Sequence, residues 1–217
     1  MKNKLKLIGI SGKIGSGKDT IYNIIKETYT LPNGKVWQNM KFAGKLKAVA
    51  SLLTGIPIEK FEDQEFKKTI LGSEWGKPNK QNPLSAIEPF KDITVIEMMS
   101  VRDLLQKLGT EAMRNGLHEN VWVNALFSDY TKDQYWIITD VRFPNEFKAI
   151  KEKGGIVIRV NRPSHSNHIV KVINDHPSET ALDGYDFDYV IENDGDLKKL
   201  KSKIKSLLEI LNNNDTN

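Results

Sequence analysis

The 217 residues contain no cysteine. Disulfides, thiolate zinc sites, redox pairs and cysteine nucleophiles are therefore excluded, and a reducing compartment, the cytoplasm, is the expected setting. No window approaches the ~20 consecutive apolar residues of a membrane span. The opening MKNKLKLIGI is charged, then only briefly apolar before it meets glycines, so it lacks the apolar core of a signal peptide. Charge of one sign is also scarce: 32 Lys and Arg stand against 28 Asp and Glu, a net +4. That excess is too small to demand a nucleic-acid partner, but it suits an anionic substrate. Internal repeats are absent, and the one low-complexity tract is the polar end NNNDTN, expected to fray.

What is present describes an ordered globule. Hydrophobic residues make up 39% and charged residues 28%. A chain of this size buries about two thirds of its unfolded surface, enough to fold without covalent staples. The reading is one domain over 1–211 with a polar tail at 212–217. Leu5 to Ile10 forms a short apolar strand, followed by a glycine-rich loop and a helical pattern from Thr20. Val36 to Phe42 reads as a second strand, and Leu46, Val49, Ala50 and Leu53 mark an amphipathic helix within Gly44 to Leu53. From Thr54 to Thr94, four prolines and three glycines interrupt any long element, which predicts a loop-rich lobe. Val101, Leu104, Leu105, Leu108 and Ala112 then form one helical stripe, and a helix around Trp122, Ala125 and Leu126 follows. Trp136 to Thr139 is a buried strand ending at Asp140. A helix over Phe147 to Lys153 is closed by Gly154 and Gly155, and strands follow at Ile156 to Val160 and Asp188 to Ile191. Leu197, Leu200, Ile204, Leu207, Leu208 and Leu211 complete a terminal amphipathic helix. Apolar strands alternating with helices predict an α/β fold of three layers, a mostly parallel sheet with helices on both faces.

Gly12-Lys13-Ile14-Gly15-Ser16-Gly17-Lys18 satisfies G-x-x-x-x-G-K between a strand and a helix, the context that makes this motif a phosphate loop. Glycines allow positive φ, so successive N–H groups turn inward, and the helix start adds partial positive charge. Lys18 would reach the β and γ phosphates. Asp19 occupies the place where a hydroxyl residue normally meets magnesium, with Thr20 one position later. A carboxylate there repels phosphate unless a cation lies between them, so Asp19 reads as a magnesium ligand, direct or through water. The other reading is a first-turn acid that favours the helix dipole. Further on, Asp140 ends a buried strand where open α/β sheets place ligands, which suits a magnesium-ordering or proton-accepting acid. Arg142, two residues later, could grip a phosphate with both prongs. A surface Asp–Arg pair or a helix cap by Asp140 is the alternative.

The segments GKIGSGKDT, ITDVRFPNE, DHPSETALD and YVIENDGDL resemble the phage-type deoxynucleoside monophosphate kinases, a phosphate-loop family. VRDLLQKLGTEAMRNGLHENVWVNAL is similar to that family's central helices, and the resemblance covers most of Leu5 to Leu211, most weakly 54–94. It implies transfer of the γ-phosphoryl group of ATP to a deoxynucleoside monophosphate with Mg²⁺, on a P-loop kinase fold. The segment 43–130 would be a mostly helical acceptor-binding insertion and 162–180 a lid-like segment. Gly12, Lys13, Gly15, Ser16, Gly17, Lys18 and Thr20 would hold the ATP phosphates. Lys18, Asp19, Asp140, Arg142 and Arg162 would form the catalytic set, with Asp19 and Asp140 toward magnesium. Asp175, Ser178 and Glu179 would line the site, although Ser178 and Glu179 also read as a helix cap and first-turn acid.

The basic residues are predominantly lysine, so Arg102, Arg114, Arg142, Arg159 and Arg162 stand out, because planar guanidinium forks suit phosphate. Arg102 and Arg114 are assigned to the acceptor and Arg162 to a lid over the transferring group. Each also reads as an ordinary surface residue, and Arg159 as the outward face of a strand. Phe42 and Trp75 are the candidates for stacking a base, against a plain packing role. Asn193-Asp194-Gly195 reads first as a turn, and by analogy with small-molecule kinases as an adenine-side loop. If that contact runs through the backbone, side-chain substitution there is silent. The expected partner is the monophosphate substrate, without stable nucleic-acid or membrane binding. A homodimer is the default assembly and the host cytoplasm the setting if the chain is phage-encoded. Two alternatives stay open: another small-molecule kinase such as dephospho-coenzyme A kinase, and a non-catalytic nucleotide-binding regulatory module.

Overall fold

A computed structural model describes residues 5–78, 96–163 and 180–214. In chain order the regular elements are strand β1 (Leu7–Ser11), helix α1 (Lys18–Thr28), β2 (Gln38–Met40) and α2 (Phe42–Thr54). A short antiparallel pair follows, β3 (Lys77–Pro78) with β4 (Ile96–Glu97), then α3 (Val101–Gln106) and α4 (Val121–Phe127). The chain ends with β5 (Trp136–Val141), α5 (Pro144–Glu152), β6 (Ile156–Asn161), β7 (Tyr189–Glu192) and α6 (Leu197–Asn214).

The main sheet has five strands in the order β2-β5-β1-β6-β7, every neighbouring pair parallel. All five residues of β1 are buried, as expected of a central parallel strand covered on both faces. Alternation along β1 assigns its side chains to two apolar layers. Ile8 and Ile10 pack with Ile21, Ile24 and Ile25 of α1 and with Leu200, Ile204 and Leu207 of α6. Leu7 packs with Val123 and Leu126 of α4 and with Ile150 of α5. The result is the three-layer α/β arrangement that the alternating pattern predicts. Among the described residues no helix is long and apolar enough to cross a membrane.

The chain divides into two compact units, Met1–Gly44 with Trp122–Asn217, and Lys45–Val121. The second unit has its own core of Ala50, Phe61, Leu71, Val101 and Leu104, tied together by single 3₁₀ turns at Ile58–Glu62, Phe66–Lys68 and Ser73–Trp75. Within it the nearly buried ammonium of Lys47 meets the Glu62 carboxylate at 2.6 Å.

Three local departures from the sequence reading have physical causes. The second strand is only Gln38–Met40, because the chain is captured into α2 at Phe42 by a carboxylate described below. β5 runs past Thr139 to Val141, so Asp140 lies within the strand rather than after it. The stripe from Val101 to Ala112 breaks because α3 passes into a π-helix over Lys107–Asn115. Its wider turns rotate a 3.6-residue stripe out of register, so Val101 and Leu104 are buried while Ala112 is exposed.

The end of α5 shows how local sequence places β6. Gly154 adopts φ +76° and donates to Lys151 O at 2.9 Å, and Gly155 N donates to Ile150 O at 3.0 Å, the paired bonds of a Schellman cap. A Cβ on Gly155 would lie 2.9 Å from Leu7 O and 3.0 Å from Ile150 O, both backbone atoms, whereas one on Gly154 would meet nothing within 4 Å. Gly155→Ala is accordingly expected to destabilise the fold by about 1–3 kcal/mol through overpacking. Gly154→Ala should cost about 1–2 kcal/mol through its left-handed backbone alone. Urea unfolding midpoints measure both, and an unshifted midpoint for Gly155→Ala would contradict this packing.

Candidate active site

β1 delivers the chain to a loop, Gly12 to Gly17, that turns directly into α1. The loop depends on glycine at three places for two reasons. Gly17, the N-cap of α1, sits at φ 102°, and Gly15 at φ 76°, a region closed to most side chains. A Cβ on Gly12 would lie 2.7 Å from Val160 O of β6 and 2.5 Å from Ser16 Oγ. Ser16 N closes an inner turn on Lys13 O at 3.1 Å, and Ile21 N begins the helix ladder on Gly17 O at 3.0 Å. The Ser16 hydroxyl is buried without a hydrogen-bond partner. An orphan hydroxyl of this kind carries a desolvation cost that a phosphate oxygen or a hydrated cation would relieve, so the donor set fits a magnesium polyphosphate. Lys18 folds back over the loop, its Nζ donating to Gly12 O at 2.6 Å and to Lys13 O at 2.8 Å.

Two more segments converge here, from the carboxyl ends of β6 and β7. Arg162, just beyond β6, donates from Nη1 to Gly15 O at 3.3 Å. Asn193, just beyond β7, donates from Nδ2 to Ser16 O at 2.9 Å. Arg159, read from the sequence as the outward face of a strand, instead lies with its side chain only 12% exposed. Its guanidinium donates to Ser11 Oγ at 3.2 Å and to Asp183 Oδ1 at 2.7 Å and covers the Phe187 ring. Asp183 also faces the loop residue Lys13, at 3.8 Å from Nζ. The sequence reading missed Asp183, and the available signal was a lone arginine between Ile158 and Val160 in an otherwise apolar strand.

The two carboxylates offered to magnesium differ sharply. Asp19 is exposed in the first turn of α1, and its Oδ1 lies 3.3 Å from Lys41 Nζ. Thr20 beside it is likewise exposed. Asp140 instead accepts from Phe42 N at 2.8 Å on one oxygen and from Ala43 N at 2.9 Å on the other, so it caps α2 from the neighbouring strand. Burial pushes its pKa above the ordinary carboxylate range, against the pull of the two amides and of the Arg142 and Lys41 charges. Arg142 stands at the carboxyl end of β5, where its backbone N donates to Glu146 Oε2 at 2.8 Å and Phe143 N to the same oxygen at 3.1 Å. Glu146, nearly fully buried, thus fixes the turn that carries Arg142.

In the loop after β7, Asp194 is pinned by Lys199 at 3.2 Å and Lys203 at 2.7 Å, and these ammonium groups lower its pKa to about 2. Gly195 follows it. Phe42 corrects its expected role. Its ring is 3% exposed and packs edge-on against Phe127, so it belongs to the core and presents no face for a base. In the second unit, Arg102 is exposed on α3, Arg114 is half-buried in the π-helix, and Trp75 is half-buried against that unit's core. Asp175, Ser178 and Glu179 lie outside the described residues, as does most of 162–180. Among the described residues no three His, Cys, Asp or Glu side chains cluster as metal ligands.

The Asp140 cap yields a direct test. Asp140→Asn turns an NH₂ toward one of the two amides of α2, leaving a buried donor unmet, so stability should fall by about 1–3 kcal/mol in chemical denaturation. An unchanged stability would mean that the carboxylate does not hold α2.

The family described as deoxynucleotide monophosphate kinase matches residues 74–204. The deoxynucleotide monophosphate kinase of Enterobacteria phage T4 is 28% identical over 95% of this chain and 100% of its own length. The deoxynucleoside-5'-monophosphate kinase of Escherichia phage T5 is 27% identical over 81% of this chain and 84% of its own. Among solved structures, dephospho-CoA kinase from Campylobacter jejuni is 13% identical, with a TM-score of 0.41, over 95% of this chain and 97% of its own. The family match spans well over half of the sequence, and the chain belongs to the deoxynucleotide monophosphate kinase family.

Proposed function

We propose that this protein transfers the γ-phosphoryl group of ATP to the 5′-phosphate of a deoxynucleoside monophosphate, giving the diphosphate and ADP. The observation that carries the reading, beside the family match, is the glycine-shaped loop before α1 with Lys18, Arg162 and Asn193 gathered on its carbonyls. Phosphoryl transfer asks for alignment and charge neutralisation more than for covalent chemistry. The acceptor phosphate is already an anion, so no protein base is required.

The loop amides and the α1 N-terminus take the β and γ phosphates. Lys18 exchanges its two backbone carbonyls for phosphate oxygens, a stronger charge-assisted contact. Arg162, anchored beside Gly15, supplies positive charge over the transferring group. Magnesium bound with ATP would supply neutralisation of the charge that develops on the phosphates. Asp19 is the better-suited carboxylate for it, because it is exposed while both Asp140 oxygens are occupied by amides. Asp140 keeps α2 and the strand end in place, and Arg142 on the adjoining turn faces the reacting phosphates. Acceptor binding is assigned to the segment 43–130 with Arg102, Arg114 and Trp75. The lid role is assigned to 162–180, whose Asp175 and Glu179 are assigned to the acceptor. Both assignments rest on family resemblance.

An ADP-release assay with every common deoxynucleoside and ribonucleoside monophosphate, and with dephospho-coenzyme A, tests the proposal. Turnover is expected with one or more deoxynucleoside monophosphates and none with dephospho-coenzyme A. Lys18→Ala is expected to lower kcat/KM on the order of 10²-fold or more. ATP consumption indifferent to any monophosphate would contradict the proposal and favour a regulatory nucleotide-binding module.

A further inference from the structure

We infer that Asn193 is a positioning residue for the phosphate loop, its side-chain amide fixing the Ser16–Gly17 peptide so that the Gly17 N–H is aimed at the bound polyphosphate. The inference rests on the nucleotide-binding half of the function proposed above. A trans peptide is planar, with its C=O and N–H pointing in opposite directions. Asn193 Nδ2 donates to Ser16 O at 2.9 Å, and holding that oxygen on one side commits the Gly17 N–H to the other. Gly17 is the N-cap of α1 at φ 102°, so the orientation of this one plane also sets the first donor of the helix. The fit is close: a Cβ on Gly17 would stand 2.7 Å from Asn193 Nδ2. The backbone angle favours glycine there, and any Cβ would displace the neighbouring amide as well.

A positioning residue must itself be held, and the loop after β7 is held on both sides of Asn193. Asn193 N donates to Asn161 O at 2.7 Å, and Asn161 Nδ2 to Glu192 Oε1 at 2.8 Å, locking the end of β7 to the end of β6. On the other side, the Asp194 carboxylate lies between Lys199 and Lys203 of α6, and Lys203 also donates to Glu192 O at 2.6 Å. Asp196 Oδ1 accepts from Lys199 N at 2.8 Å, capping α6. Single exposed ion pairs contribute little, but several bonds converging on one short loop restrict it as a unit. The chain segment expected beside adenine is therefore mechanically joined to the segment expected to grip the phosphates. This contact runs through the side chain, so substitution at 193 is informative.

The test compares Asn193→Ala, which removes the donor, and Asn193→Asp, which keeps the shape but sets an anionic oxygen against Ser16 O. ADP binding to each full-length variant is measured by calorimetry, alongside the KM values for ATP and for the acceptor and the thermal midpoint. The expected result is an ADP affinity and an ATP KM weakened by about 3–10-fold for alanine, the equivalent of one hydrogen bond, and more for aspartate. The acceptor KM should stay near wild type, and the thermal midpoint should fall only by the few degrees that one lost hydrogen bond explains. Unchanged ADP affinity in both variants would overturn the inference, and so would a loss that follows the thermal midpoint or falls equally on the acceptor. A wild-type chain that binds ADP but phosphorylates no monophosphate would remove the proposed activity and leave the Asn193 comparison valid.

Discussion

The structure turns on the direction of a few peptide planes between Gly12 and Gly17. Amides can face a polyphosphate only if their carbonyls face away, and carbonyls turned toward protein need donors of their own. This loop meets both conditions. Positive φ at Gly15 and Gly17 permits the turn, Arg162 and Asn193 meet the carbonyls of Gly15 and Ser16, and Lys18 rests on those of Gly12 and Lys13. The loop is thus braced at Gly15 and Ser16 by side chains, and catalysis by positioning depends on such prior organisation.

The sheet is what brings those side chains together. With β1 central and β6 and β7 parallel beside it, the three strands end at the same edge. Residues that follow them, Gly12, Arg162 and Asn193, therefore meet although they lie far apart in sequence. On the other flank β5 ends beside β1, and Asp140 fastens the start of α2 while Glu146 fastens the turn with Arg142. Buried carboxylates here serve mainly to satisfy backbone amides, Asp140 those of Phe42 and Ala43 and Glu146 those of Arg142 and Phe143.

Features with a short-range cause were legible in the sequence. The glycine spacing from Gly12 to Lys18, the apolar run of β5, the glycine pair after α5 and the stripe of α6 each announce themselves within a few residues. The features that escaped depend on distant partners. Nothing near Asp140 says that its oxygens meet amides 97 and 98 residues away, and the Asn193 bond to Ser16 spans 177 residues. Phe42 resembled a binding residue because it borders the inserted segment expected to bind the acceptor, yet its ring faces Phe127, which only the folded chain reveals. The π-helix after α3 likewise defeated a periodicity argument that assumes one constant turn.

Amide hydrogen exchange across residues 12–20, measured with and without magnesium and ATP or ADP, tests the central claim most directly. Exchange at Gly15, Ser16, Gly17 and Lys18 is expected to slow markedly when nucleotide is added. Exchange at those positions that is indifferent to nucleotide, with protection arising elsewhere in the chain, would contradict it.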